Sequence, residues 1–405
     1  MKKNALFLAS IAIALASCNT GPKFKSIEEE AAYIHNKVFT VDSHTDTPMS
    51  FSSKSFDFSK DNSASGRSKV DIPRMEKGGL DGIFLAAFIG QGPRNPEANL
   101  KAKERVDNII KSIYVEAEKN KDKTGIALNS KQAYELEKEG KRALFIGIEN
   151  GYPLGNEISL VETYHDMGAR YITLVHTKNN DICDSSGDTT EYHGLSAFGE
   201  EVVKEMNRTG IMIDVSHASD ESFYDVIALT KAPIIASHSC ARALCDHNRN
   251  MTDDMLKKLA ENGGVVQMCI LSDYVKTPEP QPERDSARMA MRERFKNYED
   301  LDEAQKAERR KEWYALDSIY PQKLAYVTDV VDHIDHIVSI AGIDHVGIGT
   351  DFDGGGGVTD CNDVSQMGNI TLELVKRGYT EDDIRKIWGA NLMRVLYEVE
   401  RLAKK

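Results

Sequence analysis

Positive charge is in deficit along this sequence: 51 lysines and arginines face 64 aspartates and glutamates, for a formal net charge of -13. A nucleic-acid partner is excluded on that ground, because phosphate binding needs a basic face. An anionic small substrate is not excluded, since one arginine inside a cleft outweighs the global field. Paired cysteines are also lacking. Beyond the leader there are five, Cys183, Cys240, Cys245, Cys269 and Cys361, and none forms a CxxC pair. That odd, scattered set argues against a thiolate zinc site and against a dense disulfide framework, leaving room for one bridge that the spacing does not assign. No internal repeat or low-complexity tract stands out.

The N-terminus lacks a run long enough to span a bilayer. Residues 5–16 are apolar but too few for a membrane helix. Behind Lys2 and Lys3, and ending in Leu15-Ala16-Ser17-Cys18, they read as a lipoprotein signal over 1–17. Cys18 is then the lipidated residue and 18–29 a polar tether. The expectation is an exported protein held to a bacterial membrane through Cys18 alone.

What the chain does have is a series of short β-branched runs separated by helical patterns. Eight are predicted as strands: 38–42, 82–88, 143–148, 171–175, 210–215, 233–237, 264–270 and 345–349. Near-continuous apolar runs suit strands buried on both faces of a parallel sheet. Amphipathic stretches such as 198–207 and 252–261, the latter opened by Thr252 as N-cap, lie between them. Eight strands alternating with helices predict an α/β fold of the (β/α)8 TIM-barrel type, a single domain over 30–405. Helical insertions are expected near 91–140 and 275–322, the second a candidate lid.

Chemistry gathers where the strands end. The first ends in Asp42-Ser43-His44-Thr45-Asp46, the third in Glu149, the fourth in His176, the fifth in His217, the sixth in His238 and the eighth in Asp351-Phe352-Asp353. In a parallel barrel these ends share the catalytic face. Buried ionisable groups in such number demand pairing or a metal. His44 and Asp46 point the same way if the backbone is extended. His217 and His238 stand about one β/α unit apart, and Glu149 could bridge two cations. Imidazole plus carboxylate favours zinc. Asp351 is the candidate proton carrier, with Asp353 its competitor. His176 is a candidate oxyanion donor and Arg249 a candidate carboxylate clamp. His333 and His336, in a second metal-like run, are expected on the solvent side of a helix and are rejected as ligands.

These residues resemble the membrane dipeptidase (renal dipeptidase) family of zinc peptidases. The likeness rests on VDSHTDTP (41–48), FIGIENG (145–151), GARYITLVHTKNN (168–180), the stretches 194–219 and 232–256, HVGIGTDFDG (345–354) and the tail 363–396. It covers the chain from about residue 30 onward and is weakest over 275–322. The resemblance implies two zinc ions, one on His44 and Asp46, one on His217 and His238, with Glu149 bridging. It implies that His176, Arg249 and Tyr274 contact substrate and that Asp351 handles protons. It implies hydrolysis of small dipeptides, often with a D-residue at the C-terminal side, and commonly a homodimer. A family disulfide partner matches Cys245, but its mate is not evident. Two further readings stay open: a related hydrolase of other amides, such as acyl-amino acids or β-lactams, and a non-catalytic ligand-binding lipoprotein.

Overall fold

The predicted runs form strands because their side chains are buried on both faces, toward the barrel axis and toward the surrounding helices. The computed structural model describes residues 22–66, 68–296 and 301–403. The signal, Cys18 and the start of the tether lie outside them. Among the described residues nine strands form one parallel sheet: β1 Val41–Thr45, β2 Gly82–Phe88, β3 Thr124–Ile126, β4 Arg142–Glu149, β5 Ala169–Thr173, β6 Met212–Asp214, β7 Ile235–Ser239, β8 Val265–Met268 and β9 Val346–Ile348. Their order is β1-β2-β4-β5-β6-β7-β8-β9, with β3 also on β4. Backbone bonds from Asp351 N–H to His44 O (3.0 Å) and from Asp46 N–H to Phe352 O (2.9 Å) join the two edges. The result is a nearly closed (β/α)8 barrel.

β3 was not predicted. β5 pairs with β4 only from Ile146 onward, which leaves the start of β4 with an open edge, and Thr124–Ile126 fills it against Arg142–Leu144. Three residues are too few to show a period. Around it, the 91–140 insertion is two helices, Pro96–Lys119 and Ser130–Lys138. The 275–322 insertion carries helices Pro282–Arg294 and Glu303–Ile319, where the Arg288 guanidinium lies 4.3 Å from the Trp313 ring centre.

The barrel interior divides into two storeys. Below, Phe84 and Phe145 stack at 4.4 Å, and the C-terminal helix Asn391–Ala403 closes the floor with Leu392, Leu396 and Val399. Above, buried Ser43, Thr173, Asp214 and Ser237 form a polar layer. Tyr171 joins the two: its ring stacks on Phe84 while its hydroxyl meets His44 Nδ1 at 2.8 Å. That ring fits because residue 147 is glycine, where a Cβ would overlap it.

One expectation is corrected. His333 is not on a solvent face. It is buried, accepting from Ala241 N–H (3.1 Å) and reaching Val275 O at 2.8 Å, because the helix Val327–Ala341 is packed on more than the stripe its apolar residues define. His336 is half-buried on Asp253. Neither joins the strand-end cluster, so their rejection as ligands stands for a different reason. The five cysteines are all free and buried. Cys245 Sγ faces Thr277 Oγ1 at 3.8 Å, a residue that cannot form a bridge.

Candidate metal centre

Strand ends and sharp turns deliver the predicted residues to one mouth of the barrel. His44 and His238 stand within β1 and β7. Asp46 does not continue an extended strand: its φ of -89° and ψ of 17° start a 3-10 turn over Thr47–Ser50, which swings its carboxylate over the mouth. His217 (φ 70°), Asp351 (φ 59°) and Asn150 (φ 83°), which follows Glu149, all adopt left-handed backbone. Such conformations cost free energy in residues other than glycine and cluster at functional sites. Each is held by its surroundings. Asn150, for example, bonds Ile89 O, Tyr152 N–H and Asn180 Nδ2.

Glu149 sits at the centre of four imidazoles. Its Oε1 is 3.1 Å from His217 Nε2, 3.5 Å from His176 Nε2 and 3.7 Å from His238 Nε2, while Oε2 is 3.5 Å from His44 Nε2. His217 Nε2 and His238 Nε2 face each other at 2.9 Å. Three overlapping donor sets, each with ligand atoms within 4.8 Å of one another, result: His44, Glu149 and His238; Glu149, His176 and His217; His44, Asp46 and Asp351. All five predicted ligands are therefore together. His176 and Asp351, expected on the substrate side, each fall within one of these sets.

The charge balance shows what the cluster is fitted for. Burial, with Glu149 alongside, pushes the Asp46 carboxyl well above its usual range; burial does the same to Asp351. Burial opposes ionisation of Glu149 too, but His44 and His217 outweigh it and hold its carboxyl well below the ordinary value. Burial opposes a charged His44 as well, yet the Glu149 carboxylate holds it up at about 10. His217 and His238 are driven well down by burial, so they stand as neutral imidazoles. The raised Asp46 and Asp351 carboxyls mark negative charge that His44 alone does not offset, and with neutral His217 and His238 beside Glu149 they form a donor set for divalent cations. Buried His44 Nε2, Asp46 Oδ1 and Glu149 Oε2 have no hydrogen-bond partner, as ligand atoms aimed at cations would not.

Asp353 is removed from contention. Its carboxylate accepts from Thr47 Oγ1 (2.8 Å), Ser68 Oγ (2.6 Å) and Lys69 N–H (2.6 Å), so it braces a loop. The cleft beside the cluster, about 410 Å3, is lined by Met49, Phe88, His176, Arg249, Leu271 and Tyr274 among others. Arg249 is buried with Nη2 on His238 O (3.2 Å), its Nε unpartnered and its guanidinium 5.4 Å from the Tyr274 ring. Leu271 and Tyr274, just before the 275–322 insertion, share in this lining; among the described residues none of 275–322 does.

Sequence reading missed the residues beneath the ligands. Tyr171 backs His44, and Ser237 backs His238 with its Oγ at 2.8 Å from Nδ1. Asp42 Oδ1 accepts from His44 N–H and Thr350 N–H. Asp214 gathers Thr173, Ser216 and Ser237. Only the recurrence of Asp two residues before a site segment, Asp42 before His44 and Asp214 before Ser216-His217, hinted at them.

Gly354 separates the carboxylates of Asp46 and Asp351; a Cβ there would overlap an oxygen of each. Gly354→Ala is expected to lower kcat/KM about 10²-fold, the scale of a 1 Å displacement of reacting groups. Steady-state assays on the folded variant check this.

The membrane dipeptidase (peptidase family M19) model matches residues 28–405. The chain belongs to the membrane dipeptidase family. It is 31% identical to the dipeptidase aclJ of Aspergillus oryzae over 83% of this chain and 71% of that one. It is 29% identical to the dipeptidase verJ of Clonostachys rogersoniana over 83% and 77% of the two chains. The crystal structure of the probable dipeptidase PvdM from Pseudomonas aeruginosa superposes with a TM-score of 0.80 at 30% identity, covering 93% of this chain and 99% of that one. A metallo peptidase from Rhodobacter sphaeroides, solved with a phosphinate mimic of L-Ala-D-Ala, shares the fold with a TM-score of 0.70 at 20% identity, over 89% and 99%. Membership makes this a metal-dependent hydrolase of the dipeptidase class.

Proposed function

We propose that this family member is a binuclear zinc dipeptidase acting on small dipeptides and tolerating a D-residue at the C-terminal position. The observation that carries this is one carboxylate, Glu149, shared among four imidazoles with Asp46 and Asp351 at the rim. His44 and Asp46 would hold one zinc and His217 and His238 the other, with Glu149 shared. Bound zinc would supply an activated water and polarise the scissile carbonyl.

The chain's own residues supply the rest. Arg249, buried at the cleft wall with Nε unpartnered, offers a planar fork to the substrate's terminal carboxylate. Tyr274 packs against that guanidinium and walls the same end. His176 borders both cluster and cleft, placed to donate to the developing oxyanion. Asp351 takes the proton of the attacking water and returns it to the leaving amine nitrogen. A carboxylate clamp reads the terminal charge rather than the side chain beside it, which accords with either configuration there. The L-Ala-D-Ala mimic in the Rhodobacter enzyme supports that reading for the fold. Export and tethering through Cys18 belong to the same proposal and rest on the leader sequence.

The test is metal analysis alongside hydrolysis of L-Xaa–L-Xaa, L-Xaa–D-Xaa and N-acyl amino acid panels. Two zinc per chain, loss of turnover on chelation and its return with zinc are expected. Turnover of acyl-amino acids with no release from any free dipeptide would sink the proposal. Arg249→Lys keeps the charge and loses the fork. It is expected to raise KM for dipeptides about tenfold while narrowing discrimination against C-terminal amides, read from paired kinetics.

A further inference from the structure

The imidazoles of the centre are not backed alike. His44 Nδ1 meets a phenol, Tyr171 Oη. His217 Nδ1 is buried with no hydrogen-bond partner. His238 Nδ1 meets Ser237 Oγ at 2.8 Å, and Ser237 Oγ lies 2.6 Å from Asp214 Oδ2. Asp214 is fully buried and accepts four times: Oδ2 from Thr173 Oγ1 (2.5 Å) and Ser237 Oγ, Oδ1 from Ser216 N–H (3.0 Å) and Ser237 N–H (2.8 Å).

Proton accounting then fixes a direction. An ionised carboxylate has no proton to give. The single hydroxyl proton of Ser237 goes to Asp214, whose charge-assisted contact is far shorter than the 3.4 Å to Ser216 Oγ. Ser237 Oγ can offer His238 only a lone pair, so Nδ1 carries the imidazole proton. Nε2 is left bare, facing Glu149 and His217.

We propose that Asp214 and Ser237 are positioning residues that hold His238 in its metal-binding tautomer. The inference rests on His238 being a zinc ligand. It has a consequence that simple structural support lacks. In Asp214→Asn the Oδ1 position still accepts the two backbone N–H groups, but an amide nitrogen replaces Oδ2. That nitrogen donates to Ser237 Oγ, which frees the hydroxyl proton to point at His238 Nδ1. The relay runs backwards and favours the tautomer protonated at Nε2, which cannot ligate. Ser237→Ala only removes the support and leaves both tautomers accessible.

Zinc affinity, measured by competition with a chromophoric chelator on full-length protein, decides it. Loss of a group behind a ligating histidine costs about 10- to 100-fold in affinity. Ser237→Ala is expected near the tenfold end and Asp214→Asn near the hundredfold end, both in the zinc that His238 would hold. Asp214→Asn/Ser237→Ala should return to the Ser237→Ala value, because the reversed hydroxyl is gone. A double variant weaker than Asp214→Asn, or Asp214→Asn no weaker than Ser237→Ala, overturns the proposal. His238→Ala separates the two levels: undiminished zinc binding there refutes the ligand assignment, whereas loss there with wild-type binding in Asp214→Asn refutes the relay. Should Asp214→Asn fail to fold, as thermal unfolding would show, Ser237→Ala decides alone, and undiminished affinity overturns the idea.

Discussion

Glu149→Gln is expected to abolish turnover and metal binding together. The substitution keeps the shape of a buried side chain whose oxygens stand 3.1–3.7 Å from four histidine nitrogens. It removes the one charge that all four share. A neutral amide also turns an N–H donor toward part of that ring, where a ligand must be an acceptor. Losing the bound metal removes several kcal/mol of transition-state stabilisation, so kcat/KM should fall at least about 10³-fold. Metal content by elemental analysis should fall in parallel, while circular dichroism stays native because the barrel floor is untouched. Undiminished metal content in this variant would overturn the shared-carboxylate arrangement.

Asp351→Asn should separate chemistry from metal binding. Residue 351 has a φ of 59°, and asparagine tolerates that conformation as well as aspartate, so the turn survives. Its N–H still bonds His44 O. What is lost is the ability to accept and return a proton. General acid–base steps contribute about 10²- to 10⁴-fold, and kcat is expected to drop by that factor with KM and zinc content near wild type. Near-normal kcat would remove Asp351 from proton transfer. Loss of metal would make it a ligand, as its grouping with His44 and Asp46 would then require.

Both expectations rest on residues visible in the sequence. His44, Asp46, Glu149, His217, His238 and Asp351 could be named without coordinates because each follows or ends an apolar run, and a parallel barrel collects strand ends on one face. The same regularity made the eight barrel strands legible. It failed where no period exists: β3 is three residues long and is set by an open edge on β4 rather than by its own pattern. It failed again at His333, whose burial depends on what the helix Val327–Ala341 packs against.

By itself, then, the sequence determined the barrel, the ionisable side chains that gather at its mouth and the acidic, cysteine-poor character of the chain, because these follow from local periodicity and residue type. Tertiary structure alone decided how those side chains are used. It committed Asp353 to Thr47, Ser68 and Lys69 and left Asp351 beside His44 and Asp46. It set Tyr171 under His44 and Asp214 and Ser237 under His238, residues far apart in the chain or unremarkable in type. The reason is physical: a hydrogen bond depends on the distance and direction between two atoms, and only closing the barrel fixes both.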